Sequence, residues 1–201
     1  MGAADYQDGR LEEIAKRAEV AVVSVDYRLA PEHPYPAPAD EAEAAAQWII
    51  ENASSDFGTD RIVVGGSSAG AHLAATAMLR MRDRHGYTGF AGANLTYGFF
   101  DLSLTPSARN WGDRMLVMDT ALCRWFAEMY ADGADLTDPD VSPMYADLTN
   151  MPPAYFAVGT LDPLLDDTLL FAARWTAAGN TAELSVTPGG AHGFAGAPTR
   201  D

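Results

Sequence analysis

The stretch Val63-Val64-Gly65-Gly66-Ser67-Ser68-Ala69-Gly70-Ala71-His72 constrains this chain more than any other. The apolar run Arg61-Ile62-Val63-Val64 ends in two glycines, and Gly66-Ser67-Ser68-Ala69-Gly70 fits the pattern G-x-S-x-G. The segment from Ala69 to Met81 is rich in alanine and poor in β-branched residues, which predicts a helix. Strand, tight turn and helix together place a serine on a sharp bend with its oxygen exposed. Small residues two before and two after it allow close backbone approach. The helix start beyond it offers unpaired N–H groups and a positive dipole end to a developing oxyanion. Ser68 is therefore the candidate nucleophile.

A serine hydroxyl is a weak nucleophile near neutral pH and needs a base, which in turn needs an orienting acid. Four histidines are available. His33 lies in a proline-rich loop, His72 one helical turn beyond Ser68, and His85 after the charged run Arg82-Asp83-Arg84. His192, in Pro188-Gly189-Gly190-Ala191-His192-Gly193-Phe194, directly follows the last apolar run and is the expected base. The acid is expected between Ser68 and His192 in chain order. Asp162, first after the strand candidate Pro153–Val158, is the leading choice. Asp166 and Asp167 fall in the first turn of the next helix, where acids favour the dipole, and Asp101 is an alternative on an earlier strand end.

The rest of the chain reads as alternating strands and helices. Helices are expected over residues 9–18, Asp40 to Asn52, near Asp119–Tyr130, and Leu164 to Ala178 with Gly179 as a C-cap. Strands are expected over Val20–Tyr27, at the elbow, over Ala93 to Phe99, Pro153 to Val158 and Glu183 to Val186. Leu29 to Pro38 carries four prolines and is read as loop. This alternation predicts an α/β fold with a mostly parallel sheet, helices on both faces, and ligands at the carboxyl ends of the strands.

With 201 residues the chain is long enough for one domain, 1–201. Its formal net charge of −15 argues against nucleic acid and anionic membrane surfaces as partners. No apolar run reaches membrane-spanning length, and the first residues lack a signal-peptide pattern, so a cytoplasmic location is expected. Cys123 is the single cysteine; it excludes an intrachain disulfide and reads as a packed thiol.

Tyr27-Arg28-Leu29-Ala30-Pro31-Glu32, the elbow, Asp162-Pro163-Leu164-Leu165-Asp166 and His192-Gly193-Phe194, in that order, resemble the hormone-sensitive-lipase-like family of α/β-hydrolase carboxylesterases. The resemblance implies a Ser68–Asp162–His192 triad, hydrolysis of short to medium acyl esters, no cofactor, and no metal. It also implies that the N–H of Ala69 is one oxyanion donor. Trp111, Met115 and Leu116 fall where relatives build pocket walls. Three departures stand out. Ser67 replaces the usual acidic residue or threonine before the nucleophile. The family's His-Gly-Gly-Gly stretch, which supplies further oxyanion N–H groups at the end of the third strand, is absent from the sequence. Relatives also continue past the histidine into a final helix. The resemblance thus implies a partial hydrolase domain without its N-terminal strands and cap. An ester hydrolase is the leading expectation. The alternatives are a catalytically impaired fragment, a non-catalytic small-molecule-binding member of the same fold, and another serine hydrolase such as a peptidase or deacetylase.

Overall fold

The structure is a computed structural model and describes residues 4–196. Four strands form one sheet: β1 (Val63–Ser67), β2 (Gly92–Thr96), β3 (Ala154–Leu161) and β4 (Ala182–Ala191). Their order in space follows the chain, β1-β2-β3-β4, and every pairing is parallel. Six helices accompany them among the described residues: α1 (Asp8–Ala18), α2 (Ala37–Phe57), α3 (Ala69–His85), α4 (Pro106–Asn110), α5 (Thr120–Ala131) and α6 (Leu165–Ala177).

The elbow helix α3 is buried continuously from Ala71 to Met81. A helix covered on every side belongs inside a core, and the run of alanines lets neighbours approach closely, while the buried His72, Thr76 and Arg80 each find a hydrogen-bond partner. It ends at Gly86, whose φ of +66° suits a residue without Cβ, and Arg82, Arg84 and His85 in its last turn complement the dipole. The main core joins α3 to Leu95 on β2, Phe156 on β3, and Phe171 and Trp175 on α6. Phe100 stacks on Phe171 with ring centroids 4.2 Å apart, and Trp175 donates its indole N–H to Pro152 O at 2.9 Å. Truncating a buried aromatic of this kind, such as Phe171→Ala, costs roughly 3–5 kcal/mol. A second cluster packs Phe99, Leu102 and Leu104 against Cys123, Ala127 and Ala131 of α5. Asp119 caps α5 by accepting from the Leu122 N–H at 2.7 Å.

Four expectations shift. The strand expected over Val20–Tyr27 is not a strand: the segment is irregular, it joins no ladder, and Val20, Val22, Val23 and Val25 are exposed. Its β-branched run has the composition of a buried strand, but strand geometry needs a neighbour to pair with. Among the described residues the sheet ends at β1, where Val63 is 65 % exposed. The loop expected over Leu29–Pro38 closes two residues early, because α2 starts at Ala37 with Pro38 in its first turn, where a missing N–H costs nothing. The third strand stops at Thr96 rather than Phe99, because Tyr97 turns to a φ of +37°. Finally, β3 and β4 run further than their apolar cores suggest, and β4 continues through Pro188-Gly189-Gly190 to Ala191.

Candidate active site

Strand β1 delivers the chain into a strained turn. Ser68 adopts φ +56° and ψ −121°, a conformation costing a non-glycine residue on the order of 1–3 kcal/mol. Its N–H donates to Thr96 O at 3.0 Å, and its carbonyl accepts the Ala71 and His72 N–H groups at 3.0 and 3.2 Å. The turn is therefore pinned to the end of β2 on one side and to α3 on the other. Gly66 is required by contact: a Cβ there would lie 2.3 Å from the backbone of Gly70. Gly70 is not, since a Cβ at that position meets nothing within 4 Å. The close approach expected of both glycines holds at the first one.

Asp162 follows β3 directly and is completely buried. Its Oδ1 accepts the Leu164 N–H at 2.9 Å, which fixes the carboxylate plane. Its Oδ2 lies 2.9 Å from Nδ1 of His192. The Nε2 of His192 lies 2.9 Å from Ser68 Oγ. With Asp162 ionised, Nδ1–H donates to the carboxylate, which leaves Nε2 as acceptor for the serine hydroxyl. The histidine is aimed by β4. A register shift lies between Gly159 and Leu161, where Leu161 pairs with Ala191. There Gly159 lies so close to Gly190 that a Cβ would stand 2.0 Å from its carbonyl oxygen. Gly189, at φ +74°, donates its N–H to Thr160 Oγ1 at 2.8 Å. Residue 192 thus emerges beside the end of β3.

The other candidates are engaged elsewhere. Asp101 accepts from Ser103 N–H at 2.9 Å and Ser103 O–H at 2.6 Å and lies 3.2 Å from the Tyr145 hydroxyl; no hydrogen bond joins it to His192. Asp166 accepts the Ser107 N–H at 2.8 Å. Asp167 is fully buried, its Oδ1 taking the N–H groups of Phe100 and Asp101 and its Oδ2 the Thr105 hydroxyl. Burial pushes its carboxyl up to about 8, against those hydrogen bonds, which favour the ion. His72 turns away from the elbow and donates Nδ1–H to Phe99 O at 2.8 Å, and burial pushes its imidazole down to about 4. His85 pairs with Glu43 at 2.8 Å, and His33 is exposed. Burial pushes the Cys123 thiol up to about 12, as suits a packed side chain.

Trp111, Met115 and Leu116 lie between α4 and α5. Trp111 donates its indole N–H to Arg114 O at 2.6 Å, and the Arg114 guanidinium stands 5.2 Å from its ring centroid. Met115 and Leu116 are exposed, and no hydrogen bond or ring contact joins any of the three to Ser68 or His192. Ala69 opens α3, so its N–H has no acceptor within the helix. No group of three His, Cys, Asp or Glu side chains among the described residues is arranged around a common metal position. None of the described helices is long and apolar enough to cross a membrane. Sequence reasoning missed Tyr97, whose ring packs 4.9 Å from that of His192. No motif marks it.

A parallel sheet whose strand ends carry a serine elbow, a buried aspartate and a loop histidine defines an α/β-hydrolase. The sequence profile of a family described as "alpha/beta hydrolase fold" matches residues 1–196. The chain is 38 % identical to carboxylesterase NlhH of Mycobacterium tuberculosis, an alignment covering 96 % of this chain and 62 % of that protein. Among solved structures it resembles a hyperthermophilic esterase from Pyrobaculum calidifontis, at 35 % identity and a TM-score of 0.90, over 96 % of this chain and 65 % of that one. It also resembles a hormone-sensitive lipase from a metagenome library, at 36 % identity and a TM-score of 0.83, over 90 % and 62 % of the two chains. The chain belongs to the hormone-sensitive-lipase-like family of α/β-hydrolases, and it spans 62 % of the length of the carboxylesterase it matches.

Proposed function

We propose that the protein is a serine carboxylic ester hydrolase acting on short to medium acyl esters. The observation that carries this reading is the continuous hydrogen-bond line from Asp162 through His192 to Ser68, with 2.9 Å at each step. Ser68 Oγ attacks the ester carbonyl as His192 Nε2 takes its proton. Asp162 holds the imidazole in the required tautomer and stabilises the imidazolium. The Ala69 N–H faces the oxyanion at the helix start. His192 then gives the proton to the departing alkoxide, leaving an acyl group on Ser68. A water, deprotonated by the same imidazole, releases the acid and restores the serine. The related esterases support the ester class, and the part-buried Trp111 and the exposed Met115 and Leu116 are assigned to the acyl-binding wall on family position alone. The test is turnover of p-nitrophenyl acetate and butyrate, beside an anilide, by the chain and by Ser68→Ala. Ester turnover that survives in Ser68→Ala overturns the reading, and faster anilide than ester cleavage moves it to a peptidase or deacetylase.

A further inference from the structure

We propose that Tyr97 is a positioning residue for His192, holding the imidazole in line between Asp162 and Ser68 and favouring its protonated form during turnover. The proposal rests on the triad reading above.

Tyr97 is the first residue after β2, and it is 3 % exposed. Its φ of +37° is rare for a bulky side chain, and such strain persists where the surroundings over-determine it. The surroundings here do so. Its N–H donates to Ala157 O at 2.6 Å, which ties the strained residue to β3. Its ring lies 4.9 Å from the His192 ring at 58°, and 5.7 Å from the Phe194 ring at 64°. The turn out of β2 therefore spends its strain on placing an aromatic ring against the loop that carries the base.

The segment beyond Tyr97 is fastened from both sides of the site. His72, four residues after Ser68 on α3, holds Phe99 O. Asp167, five residues after Asp162 on α6, holds the N–H groups of Phe100 and Asp101. The helix behind the nucleophile and the helix behind the acid thus grip one loop, and that loop starts with the ring leaning on the base. Neither the His72 nor the Asp167 side chain hydrogen-bonds a triad side chain; both hold the loop that Tyr97 begins.

Two consequences follow for the imidazole. Packing against a fixed ring limits its rotation, so one orientation serves both hydrogen bonds. The π electrons of an aromatic ring within about 6 Å attract a cation, and His192 becomes one each time it takes the serine proton. The titratable groups that contact the imidazole are Asp162 from the end of β3 and Tyr97 from the end of β2.

The experiment compares the chain with Tyr97→Phe and Tyr97→Leu. It reads thermal unfolding, kcat and KM on p-nitrophenyl butyrate, and the titration of His192 by 1H–15N NMR. Tyr97→Phe keeps kcat within about threefold and leaves the His192 titration in place. Tyr97→Leu, while folded, loses about tenfold or more in kcat with KM within about twofold, and the midpoint of the His192 titration falls by about half a pH unit. A folded Tyr97→Leu with the original kcat and titration overturns the proposal, as does an equal loss in Tyr97→Phe. Should the leucine variant not fold, Tyr97→Met, apolar and of similar reach, carries the same comparison. The titration reads His192 whether or not the chain turns over ester. Failure of the triad reading therefore shows in Ser68→Ala turnover, and failure of this inference shows in the titration.

Discussion

Asp162 and His192 meet by a 2.9 Å hydrogen bond between Oδ2 and Nδ1, with the carboxylate wholly out of solvent. Thirty residues of chain separate them, and the bond depends on two neighbouring parallel strands ending at the same level of the sheet.

Asp162→Asn changes the partner of Nδ1 from an acceptor-only carboxylate to an amide that also donates. The imidazole then loses its preference for the tautomer that leaves Nε2 free for the serine. Expected is a fall in kcat of about 10³–10⁴ with little change in KM. Steady-state kinetics on a nitrophenyl ester checks this, with circular dichroism to show an unchanged fold. A loss smaller than tenfold would place the orienting acid elsewhere.

Gly66→Ala and Gly70→Ala differ in one methyl group each and should have opposite outcomes. At Gly66 the new Cβ would stand 2.3 Å from Gly70, a backbone collision that no rotamer relieves. Overpacking of that kind costs roughly 1–3 kcal/mol or more, and here it also moves the elbow. At Gly70 the space is open and the residue lies in α3, where alanine is the better helix former by up to about 1 kcal/mol. Chemical denaturation should show the first variant destabilised and the second unchanged or stabilised. Equal destabilisation of both would contradict the packing at the elbow.

The three residues that the structure joins by hydrogen bonds were legible in the sequence because each is tied to a local rule. Ser68 carries its own turn chemistry, and Asp162 and His192 follow apolar runs that end in loops. The burial pattern was less legible. Val20, Val22, Val23 and Val25 have strand composition, but composition reports what a segment could bury and not whether a neighbour is there. Asp166 and Asp167 are adjacent and alike in sequence, yet the helix phase leaves one part-exposed and sends the other into the core. His72 lies on the face of α3 that follows Ser68, but its partner, Phe99 O, is a backbone atom 27 residues away that no motif announces. Tyr97 escaped for the same reason: its role comes from a turn angle and a ring contact, neither of which has a residue signature.

Arg80 holds three carboxylates at once. It is 3 % exposed and donates to Asp140 at 2.6 and 2.7 Å, Asp40 at 2.8 Å and Glu43 at 3.1 Å. Asp140 also accepts the Tyr35 hydroxyl at 2.7 Å, so the hub ties α3 to α2 and to the proline-rich loop. Arg80→Ala takes the buried cation from Asp40 and leaves Glu43 and Asp140 to the half-exposed Arg84, and a cost of up to roughly 3–5 kcal/mol is expected. Arg80→Lys should recover less than half, because a single ammonium cannot reproduce the forked contact with Asp140. Urea unfolding of the two variants checks this, and full recovery by lysine would reduce the hub to simple charge balance.

His72 and Asp167 should contribute opposite slopes to the stability curve over overlapping pH ranges. Burial lowers the imidazole of His72 from its ordinary 6.5 to about 4. Between those values the unfolded chain binds a proton that the folded chain excludes, so stability rises with pH and is lost on acidification from about 6.5 towards 4. At about 1.4 kcal/mol per pKa unit, the full effect is on the order of 3 kcal/mol. Burial raises the carboxyl of Asp167 from its ordinary 3.8 to about 8. Here the folded chain keeps a proton that the unfolded chain has released, so stability falls as pH rises from about 4 to about 8. The two effects oppose each other below about 6.5, and Asp167 acts alone of the pair between about 6.5 and 8. Asp167→Asn keeps an oxygen for the Phe100 and Asp101 N–H groups and cannot ionise. Its melting temperature should therefore gain on the original chain steadily from about pH 4 to about pH 8 and hold that lead above. His72→Gln should gain on the original chain as pH falls from about 6.5 to about 4. Thermal unfolding of the three proteins across pH 4–9 decides both points. A melting-temperature difference between Asp167→Asn and the original chain that does not change with pH would mean that Asp167 is ionised in the fold throughout, held so by its three donors.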